Sequence, residues 1–586
     1  YLRGFDLDHG TDLAVSLAGL PLNLPSNAHG QGYADLNPLI PELVRDIQYE
    51  KGPSFAEAGD FSAAGAVRVD YVHALDRPLV QVETGADGYR RFLAAGSIQA
   101  GQGDLLAAVE LMGNEGPWVH PDGFRKANGL LRWSWAGATD TVELTAMAYS
   151  GRWNSSDQIP QRAVEEGVIN RFGEINPTDG GSSRRQALLA AWRHAEAGGV
   201  TRVEAFLSTY ALDLYSDFTY FLDDPVHGDQ FHQHDRRTVS GLSASQRWSS
   251  AFLGHPMDTE AGLQVRTDNI SGLSLSHTEA RQELGTTLKD QVVQSTEGLY
   301  LENRIQWSAG FRTVLGLRED AAQFTVRSGT AAPGGQAHAS ITSPKASLVF
   351  GPWRDTELYL SCGQGFHSND ARGVVAPEDP ATPLVKARGE EIGLRSSLLP
   401  RWQATVAVWR LDLDSELTFG GDDGTTSPNR PSRRQGVEWS NEVHVTDRLT
   451  LNADLAWSTA RFTVHDPIGD EVPQAIAGAA ILGLSWKAMD TLRFSALDRW
   501  FGPRTLLEDG SVKSQASHLV QVQARWQATP SLALTLEVFN LFNAEASDID
   551  YFYASRLPGE PASGVEDVHF HPAAPREWRL GMAWRF

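Results

Sequence analysis

Apolar and polar residues alternate along most of the chain after about residue 75. In HLVQVQARWQ (518–527), Val520, Val522, Ala524 and Trp526 fall on one side, and Gln521, Gln523 and Arg525 fall on the other. The pattern recurs in TVELTAMAY (141–149), RWQATVAVW (401–409) and SLALTLEVFN (531–540). A period of two is that of a β-strand whose faces meet different surroundings. The chain is therefore predicted to form a sheet with one face in an apolar medium.

The connections between the predicted strands sort by length. Short turns such as GQG (101–103) and AGG (197–199) alternate with a second set that contains every long connection. The long ones are 151–183, 213–237, 270–290, 366–385, 415–432 and 544–573. Outer-membrane barrels have short periplasmic turns and long extracellular loops. We therefore predict a mostly β chain in which residues 76–586 form a 22-stranded antiparallel transmembrane β-barrel in the bacterial outer membrane.

The final strand, PREWRLGMAWRF (575–586), tests this interpretation. Its apolar side contains Trp578, Leu580, Met582, Trp584 and Phe586. Such a strand would be an aggregation hazard if its edge were exposed to water. We expect these residues to face lipid and the strand to pair with the first one, because closure leaves no unpaired backbone in the membrane.

Composition and motifs exclude several other classes of function. The formal net charge of −23 argues against nucleic acid, whose phosphates require a basic surface. Cys362 is the single cysteine, so an intramolecular disulfide and a cysteine-based zinc site are excluded. The sequence contains no nucleophile elbow, zinc-protease motif, phosphate-binding loop or dinucleotide fingerprint. We therefore expect neither an enzyme nor a cofactor.

Residues 1–75 differ from the rest of the chain. They mix short β-like runs with glycine, proline and asparagine, and PELVRDIQYEKGP (41–53) is predicted to be a short helix leading into a strand. A barrel of the predicted size encloses a lumen wide enough to need a plug. A small α+β domain inside the lumen would provide one.

Several phrases resemble TonB-dependent outer-membrane receptors. They are LRGFD (2–6), VSLAGLPLN (15–23), PELVRDIQYEKGPSF (41–55), SAAGAVRVDY (62–71), VKARGEEIGLR (385–395), LEVFNLFN (536–543) and GMAWRF (581–586). One departure is Asp46-Ile47-Gln48, where family members often have Arg-Ile-Glu. By this resemblance residues 1–75 are the C-terminal half of a plug domain. The first half of the plug and the short segment that contacts TonB are missing from this chain.

The resemblance implies active uptake of a scarce ligand, most often a ferric siderophore or another metal complex. Its implied partners are TonB, the small-molecule or metal-complex ligand, outer-membrane lipid with lipopolysaccharide, and the barrel-assembly machinery. We expect a monomer. The alternative is a passive porin-like channel or a surface receptor that only binds.

Family geometry places the segment LNLPSNAHGQGY (22–33) at the plug apex. Its candidate ligand-binding residues are Asn23, Asn27, His29, Gln31 and Tyr33. The other interpretation is that Gly30 and Gly32 only permit a tight turn and that the polar groups bond their own backbone. The two interpretations have equal weight at this stage.

The predicted outer loop 213–237 is the second candidate surface. Its candidate ligand-binding residues are Tyr215, Tyr220, His227, Asp229, His232 and His234. The imidazoles and carboxylates resemble a transition-metal site in ligand type. We favour aromatic packing on the rim and solvated histidines over direct metal binding, and so expect no metal site. Two further candidates are Trp153, which aromatic girdles also explain, and Arg372, for an anionic ligand or a rim contact.

Overall fold

The computed structural model describes residues 2–5, 10–28, 30, 32–155, 157–330, 334–421 and 425–586. Its regular structure is almost entirely β. The strands are β1 (Leu13–Leu17), β2 (Leu20–Pro21), β3 (Asn23–Leu24), β4 (Tyr33–Ala34), β5 (Val44–Lys51), β6 (Gly65–Tyr71), β7 (Leu79–Gly85), β8 (Arg90–Ala100), β9 (Gly103–Asn114), β10 (Phe124–Ala136), β11 (Asp140–Asn154), β12 (Ile159–Pro160), β13 (Gly180–Glu196), β14 (Gly199–Ser216), β15 (Phe231–Phe252), β16 (His255–Glu279), β17 (Gln282–Ser308), β18 (Phe311–Ser328), β19 (Gly335–Phe350), β20 (Thr356–Ser368), β21 (Leu384–Ser396), β22 (Trp402–Leu413), β23 (Leu417–Gly420), β24 (Thr425–Pro428), β25 (Ser432–Thr446), β26 (Leu449–Phe462), β27 (Gly478–Met489), β28 (Leu492–Phe501), β29 (Ser517–Gln527), β30 (Leu532–Phe539), β31 (Ser547–Ser555), β32 (Val565–Pro572) and β33 (Glu577–Arg585).

The helical elements of the described residues are short. They are a 3-10 turn at Pro41–Leu43 and the α-helices α1 (Gln161–Glu165) and α2 (Ala371–Val374). Within this part of the chain no helix has the length and hydropathy of a membrane span.

The large sheet is a closed barrel of 22 strands. It contains β7 to β11, β13 to β22, β25 to β30 and β33, each paired with its neighbour in that order. The last strand then pairs with the first, with Met582 opposite Val82 and Trp584 opposite Val80. The predicted 22-stranded antiparallel barrel and its closure by the final strand are confirmed.

The outer face of this barrel is apolar. The exposed fractions of Trp578, Leu580, Met582, Trp584 and Phe586 lie between 45% and 55%. Leucines on other strands, such as Leu188, Leu207 and Leu299, are exposed on the same outer surface. An exposed apolar band on every side is what a barrel in lipid presents. The final strand therefore turns its aromatic side outward, as expected.

A small sheet lies inside the barrel. Its strand order is β2-β1-β6-β5, and β1 runs parallel to β6. The predicted short helix is only the 3-10 turn, because β5 begins directly after it at Val44 and pairs with β6. Leu17 and Tyr71 of this sheet pack against Leu93 and Leu106 of the barrel wall in one buried cluster. The residues before β7 therefore form a plug seated in the lumen, and they are called the plug below.

Cationic side chains of the wall bind backbone carbonyls of the plug. Arg266 Nη2 donates to the carbonyl of Asn23 at 2.7 Å. Arg237 donates to the carbonyls of Pro25 and Ser26 at 2.7 and 3.0 Å. Three more such contacts are Arg318 to Glu57 at 3.1 Å, Lys345 to Pro53 at 2.8 Å and Arg434 to Gly4 at 2.6 Å. Hydrogen bonds from a charged donor are about twice as strong as neutral ones.

The counter-ions of three of these arginines also belong to the wall. The pairs are Arg237 with Asp235, Arg266 with Asp268 and Arg318 with Asp320, each two residues apart on one strand. Their Nε to carboxylate distances are 3.0, 2.6 and 2.7 Å respectively. The plug thus accepts a hydrogen bond from a guanidinium that the wall has already neutralised.

The strands β14 to β17 are longer than the sequence predicted, so this side of the wall is taller. The predicted loop 270–290 is instead a continuation of β16 and β17, which turn at Ala280 and Arg281. The predicted loop 213–237 is shorter, because β14 runs to Ser216 and β15 starts at Phe231. Bulges in the β16–β17 ladder, between Ile270 and Leu273 and twice after Leu275, shift the alternation by one residue each time. The period-two signal is therefore lost although the strands continue.

We expect an arginine on the outer face of the wall to destabilise the barrel more than one on the inner face. Leu536 is 44% exposed and lies opposite Leu580 and Ala524 in the middle of the sheet. Leu536→Arg should lower the free energy of unfolding by about 2–4 kcal/mol, since the charge enters the hydrocarbon. The matched change Thr535→Arg, on the alternate face, should have a much smaller effect. Urea titration of the barrel in lipid vesicles measures both, and equal losses would contradict the assignment of faces.

Candidate ligand-binding site at the outer mouth

The predicted apex segment 22–33 forms a small hairpin, β3–β4, whose connection is bridged by Asn27 and Gly30. The Gly30 amide donates to the Asn27 carbonyl at 3.0 Å, and Gly30 has a φ of +102°, which favours glycine. The predicted ligand-binding residues His29 and Gln31 lie outside the described residues. A tight turn is thus present at the apex, as the alternative interpretation expected.

The two asparagines of this segment are buried, with exposed fractions of 2% for Asn23 and 0% for Asn27. The Asn23 amide is engaged inside the plug, accepting from the Val15 amide at 2.7 Å and donating to the carbonyls of Gly10 and Leu13. Asn27 Oδ1 accepts from the next backbone amide, and its Nδ2 has no hydrogen-bond partner among the described residues. Asn27 therefore has a donor to offer, whereas Asn23 holds the hairpin together.

Arg372 contacts this apex from the barrel wall. It lies on α2, between β20 and β21, and Asp370 caps that turn by accepting from the Arg372 amide at 2.8 Å. The Arg372 guanidinium binds the Asp370 carboxylate and also the carbonyl of Asn27. Ser26 Oγ adds a second link, since it accepts from the Ala371 amide at 2.8 Å. The α2 turn thus holds the plug apex in place.

Aromatic residues flank the other side of the apex. Tyr33 of β4 packs against Tyr210 of β14, with ring centroids 6.1 Å apart. Trp153 of β11 and Leu214 of β14 belong to the same cluster around the buried Leu24. Trp153 therefore points into the lumen, against the plug. The structure brings the predicted residues Tyr33 and Trp153 together.

A buried cation lies beside this aromatic cluster. Arg185 of β13 is 4% exposed and its guanidinium lies 5.1 Å from the centre of the Tyr210 ring. Its one hydrogen bond among the described residues is a long contact of 3.5 Å to the Leu22 carbonyl. Its Nε and Nη1 atoms have no hydrogen-bond partner there, and the charge of the buried Asp35 carboxylate acts on it without forming an ion pair. Buried charge without a partner is costly, so Arg185 is a candidate for an anion.

Two of the predicted loop residues have structural roles. The Asp229 carboxylate accepts from the Leu222 amide at 2.8 Å and the Asp224 amide at 2.7 Å, which closes the loop on itself. Tyr220 is 2% exposed, and its hydroxyl donates to the Gln158 carbonyl at 2.9 Å. Both side chains shape the loop between β14 and β15 in this conformation.

Four other predicted residues lie away from the lumen or from the apex. Tyr215, His232 and His234 point to the outside of the wall, because the alternate residues Gln233 and Asp235 are buried on the lumen side. Both imidazoles contact the carboxylate of Asp213. His227 is exposed and its Nδ1 lies 3.0 Å from Glu279 Oε2. None of the four reaches the plug apex, and their role in binding the transported ligand stays a prediction.

The outer loops share a buried acidic centre. Asp157 and Asp179 come from the connection between β11 and β13, and Asp217 comes from the neighbouring connection between β14 and β15. The Asp217 amide donates to Asp157 Oδ2 at 3.2 Å. Burial raises the pKa of Asp157 and of Asp217 to about 7. Burial, followed by repulsion from Asp157 and Asp217, raises the pKa of Asp179 well above its ordinary value. Asp157 and Asp217 therefore exchange protons near neutral pH.

A hairpin covers this centre. It consists of β31 and β32 between the last two barrel strands, and β12 adds to its edge by pairing with β32. Arg162 of α1 binds Glu560 at 2.7 Å and Asp567 at 3.4 Å, which ties the hairpin to the β11–β13 loop. On the opposite side Arg504 binds Asp550 at 3.0 Å. The hairpin therefore links loops from two distant parts of the barrel rim.

The interior of this hairpin is neutral. His569 of β32 stacks on Tyr553 of β31 with ring centroids 3.7 Å apart, and its Nε2 lies 2.7 Å from Ser555 Oγ. Burial lowers the pKa of His569 to about 3. The imidazole is therefore uncharged at neutral pH, which suits its buried stack.

Sequence reasoning missed Arg185, Tyr210 and Asp213. All three lie on strands, and the alternation of apolar and polar residues predicts only which face of the sheet each side chain is on. Arg185 and Tyr210 are on the lumen face, where a single cation or phenol is unremarkable without its neighbours. Strand register was the missing information, because it places Arg185 directly opposite Tyr210. Asp213 was treated as the start of a loop, and its partners became visible only once β14 and β15 were paired.

Comparisons with known proteins agree with this architecture. Residues 122–541 match the family described as "TonB dependent receptor-like, beta-barrel". The curated proteins contain no match to the chain.

Solved structures share the fold at low sequence identity. The ferric citrate transporter FecA, unliganded, aligns with a TM-score of 0.81 at 14% identity, covering 100% of this chain and 90% of that one. The ferric-catecholate import receptor Fiu from E. coli K12 aligns with a TM-score of 0.77 at 16% identity, covering 100% and 90%. The copper transporter OprC gives 0.77 at 16% identity, covering 100% and 91%. At these identities the likeness shows the fold alone.

The acidic centre should make the outer loops more stable at low pH. Asp217 and Asp157 have pKa values of about 7 when buried, whereas an exposed aspartate has a pKa near about 4. The closed loops therefore keep protons that opened loops release, and their stability should fall as pH rises from about 4 to about 7. Hydrogen exchange of residues 217–230, corrected for intrinsic rate, should show more protection at pH 5 than at pH 8.

Asp217→Asn should flatten this dependence, because the amide cannot ionise. Asp223→Asn removes an exposed carboxylate from the same loop and serves as the matched control. Hydrogen-exchange protection that rises with pH would contradict a buried acidic centre. So would a pH dependence of protection that Asp217→Asn leaves unchanged.

Proposed function

Because the chain belongs to the TonB-dependent receptor family, whose barrel domain matches residues 122–541, we propose that it actively takes up an anionic metal complex across the outer membrane. A ferric siderophore is the proposed cargo, and TonB is the proposed source of energy. The observation that carries the anionic preference is Arg185, a buried cation beside the plug that has no ion pair with any described residue. An anion arriving there would supply the missing charge.

Arg372 is the proposed first contact. Its guanidinium is partly exposed, bridges Asp370 and the Asn27 carbonyl, and lies where the wall meets the plug apex. An anionic oxygen that competes for this guanidinium would displace the neutral carbonyl before it displaced the carboxylate. Ligand binding would then loosen the plug apex from α2, which couples occupancy of the mouth to the state of the plug.

The contacts between plug and wall suit a plug that moves. When a carbonyl of the plug leaves Arg237, Arg266 or Arg318, the guanidinium keeps its wall carboxylate. The buried charge is not stranded, so the penalty of an unpaired ion does not oppose the motion. True ion pairs across the interface, such as Arg91 with Glu42 at 2.6 Å and Lys51 with Glu438 at 2.6 Å, are the exceptions that must separate.

Known relatives support this cargo class without identifying it. The structures with the same fold include a ferric citrate transporter, a ferric-catecholate receptor and a copper transporter. All three handle a transition metal or its complex by their names. Ferric citrate and ferric catecholates are anionic chelates, whereas an unchelated copper ion would gain nothing from Arg185 and Arg372.

The function test is uptake of radioactive iron in cells that lack their own iron receptors. Cells expressing this chain behind an N-terminal plug half with a TonB-contacting segment should take up ferric citrate or a ferric catecholate only when TonB is present. Arg372→Gln should reduce apparent affinity about 10-fold or more, since a hydrogen bond to a charged group contributes about 1.5–3 kcal/mol. Arg388→Gln removes an exposed arginine from the neighbouring β21 and should leave uptake unchanged.

Uptake that continues without TonB would contradict active transport. Swelling of liposomes that contain the purified chain separates the alternative functions. Rapid entry of small sugars would support a passive channel, whereas a sealed barrel that binds but does not import would support a surface receptor. The plug contacts described above lead us to expect a sealed barrel that imports.

We also propose that the outer wall binds the phosphates of lipopolysaccharide. A groove of about 740 Å³ on the outside of the barrel is lined by Arg90, Arg125, Arg152 and Arg184, among other residues. A Cβ on Gly113 would lie 3.1 Å from Arg90 Nε and 3.4 Å from Arg125 Nη1, so these two guanidiniums share one spot on the wall. Arg125 alone of the four has an ion pair among the described residues, with Glu115 at 2.7 Å. Guanidinium groups this close to one another repel, and an external anion bound between them would offset that repulsion.

The double change Arg152→Gln and Arg184→Gln should reduce the lipopolysaccharide phosphate that co-purifies with the barrel by about half or more, because fewer guanidiniums contact it. The matched control is Arg401→Gln with Arg448→Gln, two exposed arginines in turns at the opposite rim. Phosphate analysis of the detergent-purified proteins measures the difference. Equal phosphate in the two double variants would remove the groove as a binding site.

A further inference from the structure

Asp213, His232 and His234 form a compact cluster on the outside of the wall. His234 lies directly opposite Asp213 in the β14–β15 ladder, and His232 is two residue pairs further out, on the same face. Asp213 Oδ1 lies 2.7 Å from His234 Nδ1 and 3.1 Å from His232 Nε2. One ligand atom from each residue falls within 4.8 Å of the others. Two strands therefore bring three metal-binding groups to one point.

We propose that this cluster binds one divalent transition-metal ion, with zinc as the best fit. Zinc bonds of about 2.0–2.2 Å to nitrogen and oxygen place tetrahedral ligand atoms about 3.3 Å apart. The two separations between carboxylate and imidazole, 2.7 and 3.1 Å, are slightly shorter than that spacing, and all three ligand atoms lie within 4.8 Å of one another. Two imidazoles and one carboxylate suit zinc, copper or nickel, whereas calcium and magnesium require oxygen ligands. The fourth position would hold water.

The cluster is separate from the route through the barrel. Its side chains face outward, because the alternate residues of β15, Gln233, Asp235 and Arg237, are buried on the lumen side, where Arg237 bonds the plug. Asp213 is 14 residues (213 − 199) from the inner end of β14 at Gly199. At about 3.4 Å per residue and a tilt of about 45°, it lies about 34 Å above that end, a distance greater than the height of an apolar band about 25 Å tall. The proposed ion is therefore structural, and the inference goes beyond the proposed uptake of cargo.

The surroundings of the cluster hold its ligands in place while leaving it accessible. The His232 ring stacks on Tyr215 with centroids 4.3 Å apart and an angle of 7° between the planes. The guanidinium of Arg281, a residue of the β16–β17 turn, lies 5.4 Å from the centre of the Tyr215 ring. The exposed fractions of the three side chains are 19% for His232, 22% for His234 and 40% for Asp213. An ion can therefore enter from solvent and meet oriented imidazoles.

The position of the cluster gives the ion a role. It lies at the base of the loop 217–230, where β14 and β15 leave the membrane. A metal that joins the two strands there would fix the base of the loop that carries Asp217 and Asp229. The sequence pattern favoured solvated histidines at these positions. With a bound ion, they would instead join β14 to β15.

Zinc titration of the chain, purified in detergent and stripped with EDTA, tests the proposal. We expect one Zn²⁺ per chain by calorimetry and no comparable binding of Ca²⁺. The double change His232→Ala and His234→Ala should weaken Zn²⁺ binding by at least about 10-fold, since it removes two of the three protein ligands. The matched control is His444→Ala with His465→Ala, two exposed imidazoles that each pair with a single carboxylate.

Two further measurements keep the proposal testable if the double variant misfolds. Co²⁺ added to the native chain should give the intense visible bands of a tetrahedral site. Zn²⁺ should increase hydrogen-exchange protection in residues 213–216 and 231–236 of the native chain. Absence of stoichiometric Zn²⁺ binding, equal loss in the control variant, or binding of Ca²⁺ as tight as that of Zn²⁺ would overturn the proposal.

Discussion

Pairing of every backbone amide and carbonyl in lipid is the constraint on which the structure depends. Water is absent from the hydrocarbon, so an unpaired group there costs several kcal/mol. The barrel meets the constraint by joining β33 to β7, which gives its last strand a partner on both sides. Closure at 22 strands creates a lumen too wide to be filled by side chains alone. The plug, its polar contacts and the candidate site all follow from that lumen.

The lumen also determines how the charged side chains that face it are paired. A cation that faces the plug needs a counter-ion, and three wall strands provide one two residues away, as in Arg318 and Asp320. The plug then contributes only carbonyl oxygens to these contacts. Arg185 departs from this arrangement, because no described carboxylate pairs with it. A wall that neutralises its own arginines can release the plug, and Arg185, which has no ion pair with a described residue, is the proposed place for an anion.

Alternation in the sequence was sufficient to predict the strands, their faces and the closure through Trp584 and Met582, because period two survives wherever one face meets lipid. It failed in β16 and β17, where bulges after Ile270 shift the pattern. The site was harder to predict. Tyr33 and Trp153 were proposed because aromatic residues at the rim and apex are conspicuous, and the structure packs both against one cluster. Arg185 was not, since its lack of a counter-ion is a property of its neighbours across strands.

The hairpin of β31 and β32 has a mechanical consequence. It is linked to the β11–β13 loop through Arg162 and to the loop between β28 and β29 through Arg504, so a single element joins two separate loops of the mouth. Partial opening would break contacts on one side while the other side still held the hairpin across the entrance. Loops joined in this way exchange between closed and open as a cooperative unit. Entry to the barrel should then behave as a two-state switch rather than as a pore of graded width.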